Sequence, residues 1–179
     1  TAIALDVFGF VQLDGSLAFK KATGSFVLSD GTALTDVGYL EIGGSVTSAF
    51  AGVGGIGFEL SDVSFAIVMV SDTKGTAVTT DDVNYMALKA DVASAALVGI
   101  DGLTAQITSL SVEVNNTSDT VSPNRVLDFS GANSRDVATG PAGSPVVTID
   151  IDGAEGVVLS VQTAIALDVF GFVQLDGSL

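Results

Sequence analysis

The stretch TAIALDVFGFVQLDGSL occupies residues 1–17 and recurs, letter for letter, at residues 163–179. Residue 163 follows residue 1 by 162 positions, and 17 identical residues do not recur by chance. We therefore interpret residues 1–162 as one full period of a tandem array, and residues 163–179 as the start of the next period. The alternative is a segment copied onto the C-terminal side, where it would cover an exposed edge.

A second and fainter repeat lies inside this period. Tyr39-Leu-Glu-Ile aligns with Tyr85-Met-Ala-Leu, and Ser64-Phe-Ala-Ile aligns with Ser111-Val-Glu-Val. These matches make 39–67 and 85–114 the clearest of about four divergent sub-units. Internal periodicity of this kind is typical of stacked, quasi-one-dimensional proteins.

Apolar residues recur at every second position, in runs of about five that stop at Gly, Asp or Ser, which is a strand pattern. The sequence therefore predicts an all-β fold of many short strands. Although 47% of the residues are hydrophobic, the longest apolar run, residues 65–70, is far shorter than the roughly 20 residues of a membrane-spanning helix. We expect no membrane insertion.

Two all-β arrangements fit these runs. In a β-solenoid-like stack, which we favour, Gly, Asp and Ser occupy the corners, and Val11, Leu13, Leu17 and Phe19 face one interior. In an antiparallel meander or sandwich repeat, Asp14-Gly15 is instead a two-residue hairpin turn. The solenoid sorts apolar from polar side chains more cleanly, because the hairpin would place apolar groups on both faces.

The charge balance excludes several functions. The chain has 6 Lys plus Arg against 21 Asp plus Glu, for a formal net charge of −15. Such a surface repels nucleic-acid phosphates and attracts divalent cations. The absence of Cys and His removes thiolate ligands and the commonest general base. No nucleophile lies in a recognisable motif, so we expect no enzymatic activity.

Calcium is the cation that the sequence favours. Asp150 and Asp152 alternate along a predicted strand and so share a face, and Gly153 allows a bend that brings Glu155 towards them. The alternative is a pair of outward-facing acids at a solvated strand end. A second stretch, GGIGFEL at 54–60, resembles one copy of a calcium-binding nonapeptide, or else forms a Gly-rich bend.

Two polar segments interrupt the apolar alternation. Residues 115–124 and 130–145 are rich in Ser, Asn and Gly, and they contain all three prolines. We expect loops that project from one face, where repeat proteins usually place recognition.

Several phrases resemble the tandem repeats of giant bacterial extracellular, adhesin-like proteins. They are LDVFGFVQLDGSLAF (5–19), SAFAGVGG (48–55), SAALVGIDGLTAQITSLSVEV (94–114), ATGPAG (138–143) and IDIDGAEG (149–156). The resemblance implies an extracellular or cell-surface chain with a role in adhesion, filaments or matrix.

The functional hypothesis is a structural repeat that acts as fibre, stalk or matrix and associates with itself end to end. One alternative is an adhesin module that binds carbohydrate, a surface or Ca²⁺ through loops 115–124 and 130–145. Another is a lipid-holding groove, which would require an apolar face that is left open rather than closed over a core.

Overall fold

A computed structural model describes residues 2–7 and 11–179, without the side chains of residues 2, 7, 11 and 13. Most of the chain forms one sheet in which the strands follow one another in the order β1–β2–β3–β4–β5–β6–β10–β11, each antiparallel to its neighbour. The strands of this path are β1 (Ala2–Val7), β2 (Val11–Leu28), β3 (Ala33–Val53), β4 (Ile56–Asp72), β5 (Val83–Val98), β6 (Leu103–Thr117), β10 (Val158–Val169) and β11 (Val173–Ser178).

The all-β prediction is confirmed, but the preferred solenoid arrangement is not what forms. Consecutive strands pair antiparallel as hairpins, whereas a solenoid would stack each strand in parallel on the next coil. The antiparallel meander fits. The two helices among the described residues are single 3₁₀ turns at Gly131–Asn133 and Gly153–Glu155. No helix in that part of the chain is long and apolar enough to cross a membrane.

The expectation of strands about five residues long is wrong, because Gly, Asp and Ser often lie inside strands. β3 runs for 21 residues and β2 for 18. Asp14 pairs with Ser48, and Gly15 with Val46, so this pair forms a β-bulge instead of a solenoid corner or a hairpin turn. The chain reverses at Gly54 and Gly55, whose φ angles of 61° and 84° suit a tight hairpin turn.

Residues 118–157, which we call the cap, fold back over one face of the sheet. The cap contains β7 (Leu127–Asp128), which pairs with the end of β2, and the small separate sheet of β8 (Arg135–Ala138) and β9 (Val146–Ile149). We call the sheet face beneath the cap the near face and the opposite face the far face.

The hydrophobic core lies between the cap and the near face. Its fully buried side chains come from both layers, with Val68, Val70 and Tyr85 on the sheet. Phe129, Val137 and Ile149 face them from the cap. The cap covers only the part of the sheet that contains the start of β3, the end of β4 and the start of β5. We call this part the capped half and the remainder the open half.

The two copies of the 17-residue stretch form hairpins with the same register. In the first copy Ile3 pairs with Gly15, and in the second Ile165 pairs with Gly177, as at every described pair of the two hairpins. The first copy forms one edge of the sheet and the second forms the other edge. Residues 1 and 8–10 of the first copy lie outside the described residues.

The two internal repeat segments form consecutive hairpins. Segment 39–67 falls on β3 and β4, and segment 85–114 falls on β5 and β6. Tyr39 and Tyr85 lie in one row across the sheet, because both pair with Val70. Phe65 and Val112 likewise share a row, through Ala90. The division into about four sub-units stays a prediction.

Candidate functional site

The far face is an extended apolar surface that the cap does not cover. On β10, Val161 and Ile165 lie four residues apart and therefore share a face. They pair with Val112 and Ile107 of β6, which lie five residues apart. Side chains on one face of a regular strand lie an even number of residues apart. The five-residue spacing on β6 therefore requires one extra residue, and Thr108 forms this bulge.

The same extra residue occurs in four neighbouring strands. Thr47 on β3, Asp62 on β4, Ala93 on β5 and Thr108 on β6 all fall where the regular pairing is interrupted. All four are exposed, and Asp62 has a left-handed φ of 49°. We call this line of residues the crease. It reverses the odd–even alternation in each of these strands, so that the far face stays apolar on both sides of the crease.

The large side chains of the far face are exposed or half-buried, and none of those described is fully buried. They include Leu17, Phe19, Leu40, Ile42, Val46, Phe58, Leu60, Val63, Phe65, Ile67, Met69, Met86, Leu88, Val92, Leu97, Ile107, Leu110, Val112, Val114, Leu159, Val161, Ile165, Leu167 and Leu175. Among the described residues in these rows, Lys21 is the one charged residue, and it lies at the rim.

Sequence reasoning missed this face. Leu17 and Phe19, which we expected in a closed interior, lie on it, while the side chains of Val11 and Leu13 are outside the described residues. The signal was present in the apolar alternation of β6, which changes phase between Ile107 and Leu110. Without a known pairing, however, that change of phase looks like the end of a strand.

A groove of about 620 Å³ lies on the far face at the end of the capped half. Leu40, Met69 and Met86 form its apolar floor, and Lys21 and Asn116 lie at its sides. The groove is part of the far face and has no enclosing wall of its own, so its chemistry is that of an apolar contact surface.

Both sheet edges carry segments that no strand of the described chain pairs with. β1 and β7 cover β2 at residues 11–16 and 27–28, which leaves 18–26 open. β11 and Leu179 cover β10 from Thr163 onwards, which leaves 158–162 open. Phe19 is 67% exposed on the first open segment, and Leu159 and Val161 are 75% and 49% exposed on the second.

The near side carries the ion pairs that fix the cap to the sheet. Glu41 is buried and accepts a hydrogen bond from Nε of Arg135 in the cap, and the Lys20 ammonium nitrogen lies 3.3 Å from its other carboxylate oxygen. The Arg135 guanidinium also lies 4.9 Å from the centre of the Phe26 ring and 4.5 Å from that of Tyr39. This cluster satisfies a buried carboxylate and orients β8 over β3.

A second ion pair joins the cap to β5. The Lys89 ammonium group donates to Asp150 at 2.6 Å and lies 3.5 Å from Glu113. Burial lowers the pKa of Lys89, but the hydrogen bond and charge of Asp150, together with Glu113, outweigh that effect and raise it overall. Lys89 is therefore a cation under the cap at neutral pH.

Two of the three residues predicted to bind calcium have other partners. Asp150 accepts the hydrogen bond from Lys89, Asp152 caps the second 3₁₀ turn by accepting from the Ala154 amide at 2.8 Å, and Glu155 is exposed in that turn. Among the described residues, no three acidic side chains lie close enough together to hold a metal ion. Calcium binding here stays a prediction; a rise in Tm on adding Ca²⁺ that Asp152→Asn abolishes would establish it.

The second calcium-like stretch forms the β3–β4 hairpin. Gly54 and Gly55 are its turn residues, and Glu59 lies within β4 opposite Phe50 and Ala96. The alternative interpretation, a Gly-rich bend between two strands, describes what forms.

The polar segments 115–124 and 130–145 do not project as free loops. Asn115 is buried and donates to the Leu127 carbonyl at 2.7 Å. Asp119 accepts from the amides of Val121 and Ser122 and from Arg125. Much of the second segment is the β8–β9 hairpin. Both segments are therefore used to build the cap.

The chain matches no family model, no curated protein and no solved structure.

Proposed function

We propose that this chain is a structural repeat whose sheet continues from one period into the next. The observation that carries the proposal is that two identical stretches form hairpins of identical register at opposite edges of one sheet. If the hairpin at one edge is superimposed on the hairpin at the other edge of a second period, β10 becomes the strand that pairs with residues 11–22 of β2. The two edges then disappear into a continuous sheet.

The open edge segments have the sequence that such continuation requires. Extending the hairpin register places Ser160 opposite Lys20 of the next period, Val161 opposite Phe19 and Leu159 opposite Lys21. Val161 and Phe19 both lie on the far face, so the new pair would cover two exposed apolar side chains. Unpaired edges otherwise serve as templates for aggregation.

The geometry of the array follows from the strand count. Each period contributes six long strands, β2 to β6 and β10. Because six is even, strand direction is the same in every period, and at about 4.8 Å per strand a period advances the sheet by roughly 29 Å. A long sheet of this kind suits a fibre, stalk or matrix at the cell surface, as the resemblance to adhesin-like repeats implies. The net charge of −15 favours growth along the array over lateral clumping.

The test is end-to-end association of the isolated chain, which requires β1 of one copy and β11 of its neighbour to be displaced, because these strands cover the edges of β2 and β10 that would pair. We expect Ser160→Lys to shorten or abolish linear assemblies, because it places Lys opposite Lys20 of the neighbour. Within its own chain the new lysine faces Glu113 across β6, so the fold is not weakened. Ser160→Gln is the matched neutral control and should assemble like the parent. Electron microscopy and sedimentation velocity measure the outcome; equal assembly by all three chains would contradict the proposal.

A further inference from the structure

The far face has the area and composition of a protein core but lacks a covering layer. Antiparallel sheets commonly pack one face and leave the other in water. In the open half, the near face carries the polar residues Gln12, Glu59, Gln106 and Asp176 in a row whose large apolar side chain is Phe50, and it fits the solvated role better than the far face does. Among the side chains that the structure describes, the far face has no charged residue between its rims, so it fits the packed role.

We infer that the far face of one chain packs against the far face of a second copy, which makes a two-layered β-sandwich with the caps on the outside. This contact uses a different surface from the edge-to-edge continuation and does not depend on it.

The area is sufficient for a stable pair. Six strands about 4.8 Å apart and twelve residues long at about 3.3 Å each give roughly 1,100 Å² per copy. Both copies together would cover about 2,200 Å², which exceeds the roughly 1,600 Å² of a standard specific interface. Contiguous apolar surfaces of this size are rare on monomers.

Two rows of the far face, one on either side of the crease, have a relief that a second copy can match. Phe65 lies beside Ala90 of β5, and Leu60 lies beside Ala95 of the same strand. On the β3 side, Gly44 lies beneath the Phe65 and Leu17 side chains, so the space above it is already filled. A two-fold partner shifted by one strand would place its own Phe65 and Leu60 over the small residues of β5.

Charge favours a second copy over a lipid surface. The acidic side chains lie on the near face, in the cap and in the loops, so face-to-face packing keeps the charge of −15 on the outside of both copies. The same charge opposes approach to anionic lipid headgroups. The apolar face that a lipid-holding function would need is present, but it is a broad open surface without an enclosing wall.

The first experiment compares two neighbouring positions on β6. Ile107→Glu places a carboxylate on the far face, whereas Gln106→Glu places the same group on the near face. Both changes are made in the Ser160→Lys chain, in which edge-to-edge assembly is blocked. We expect Ser160→Lys alone, and Ser160→Lys with Gln106→Glu, to sediment as pairs at micromolar concentration, and Ser160→Lys with Ile107→Glu to dissociate roughly tenfold more readily or worse. Circular dichroism of each chain establishes that the sheet is retained.

The second experiment uses smaller changes that leave the fold intact. Because the chain has no Cys, single cysteines report on one position each. We expect Ala95→Cys, on the far face, to react slowly with a maleimide at high protein concentration and quickly after dilution. Ala96→Cys, on the near face, should react at the same rate in both conditions.

Several outcomes would overturn the inference. One is a parent chain that stays monomeric at high concentration, and another is equal reactivity of the two cysteines at every concentration. A third is linear assembly that Ser160→Lys abolishes and Ile107→Glu leaves unchanged. This result would support the edge-to-edge array but not the pairing of far faces. Binding of the parent to phosphatidylcholine vesicles, lost in Ile107→Glu without any effect on self-association, would assign the face to lipid.

Discussion

Tyr85 has a hydroxyl group that is buried and has no hydrogen-bond partner among the described residues. A buried polar group without a partner costs about 1–3 kcal/mol. We therefore expect Tyr85→Phe to raise the free energy of unfolding by about 1 kcal/mol, measured by urea denaturation.

Tyr39 is the matched control, two strands away in the same row. The Lys20 ammonium nitrogen lies 5.5 Å from the centre of the Tyr39 ring, and Tyr39, ahead of Glu41, raises the pKa of Lys20. Tyr39→Phe removes a hydroxyl that favours the Lys20 cation and should leave stability unchanged or lower. A greater loss from Tyr85→Phe than from Tyr39→Phe would contradict the account of the buried hydroxyl.

Asp119 links the stability of the cap to pH. The amide of Ser122 lowers the pKa of Asp119, burial opposes that shift, and Val121 and Arg125 lower it further. A carboxyl group with a depressed pKa stabilises the fold above its unfolded pKa of about 3.9, and that stabilisation is lost as the pH falls through the folded value. Asp119→Asn should therefore be less stable than the parent at pH about 7 and lose less stability between pH about 5 and 3.

The measurement for Asp119 is urea unfolding across that pH range. Asp101→Asn, in the exposed turn between β5 and β6, changes the same charge without removing a cap contact. Its acid profile should follow the parent. If both variants shifted the profile equally, net charge rather than the Asp119 contacts would explain the effect.

At the scale of elements, β8 crosses β3 at a glycine. A side chain at Gly43 would collide with the backbone carbonyl of Ala138, which cannot move without lifting the cap. We expect Gly43→Ala to destabilise the protein by about 1–3 kcal/mol. Thermal unfolding measures the loss.

Gly44 offers a neighbouring control on the other face. A side chain there would meet the Phe65 ring and the end of Leu17, both of which can move because the far face is uncovered. Gly44→Ala should therefore cost less than Gly43→Ala. A greater loss at Gly44 would mean that the far-face side chains are held more firmly than the cap.

Asp62 allows a test of the bulged backbone conformation at the crease. Its φ of 49° lies in the left-handed region, which glycine adopts freely and β-branched residues strongly resist. We expect Asp62→Gly to be neutral or stabilising, and Asp62→Val to lower the Tm by several degrees, for a cost of about 1–2 kcal/mol. Equal Tm values for the two variants would contradict the bulge geometry.

At the scale of the whole molecule, one continuous sheet has two environments. Ala66, Val68 and Val70 of β4 lie under the cap, whereas residues 56–61 of the same strand lie in the open half, where most side chains are exposed. Exchange of backbone amides reports local opening. We expect amides of 66–70 to exchange more slowly than those of 57–61, measured by mass spectrometry. Uniform exchange along β4 would mean that the cap adds no stability of its own.

The alternation of apolar residues at every second position was enough to predict an all-β chain. The identity of the two 17-residue stretches was enough to predict equivalent local structures, because hairpin formation depends mainly on neighbouring residues. The hairpins at Gly54-Gly55 and at the β5–β6 turn likewise join strands that are neighbours in the sequence. These properties need no contact between distant parts of the chain.

The tertiary structure decided which strands pair, where the second layer lies and which face stays open. Val27 pairs with Asp128, and Lys89 binds Asp150, across separations that no local pattern encodes. The bulges at Thr47, Asp62, Ala93 and Thr108 have meaning only once four strands lie side by side, because an extra residue in one strand reverses its faces relative to a partner. The sequence shows where the apolar alternation changes phase in each strand. Only the pairing of the strands shows that these changes line up and leave one continuous apolar face.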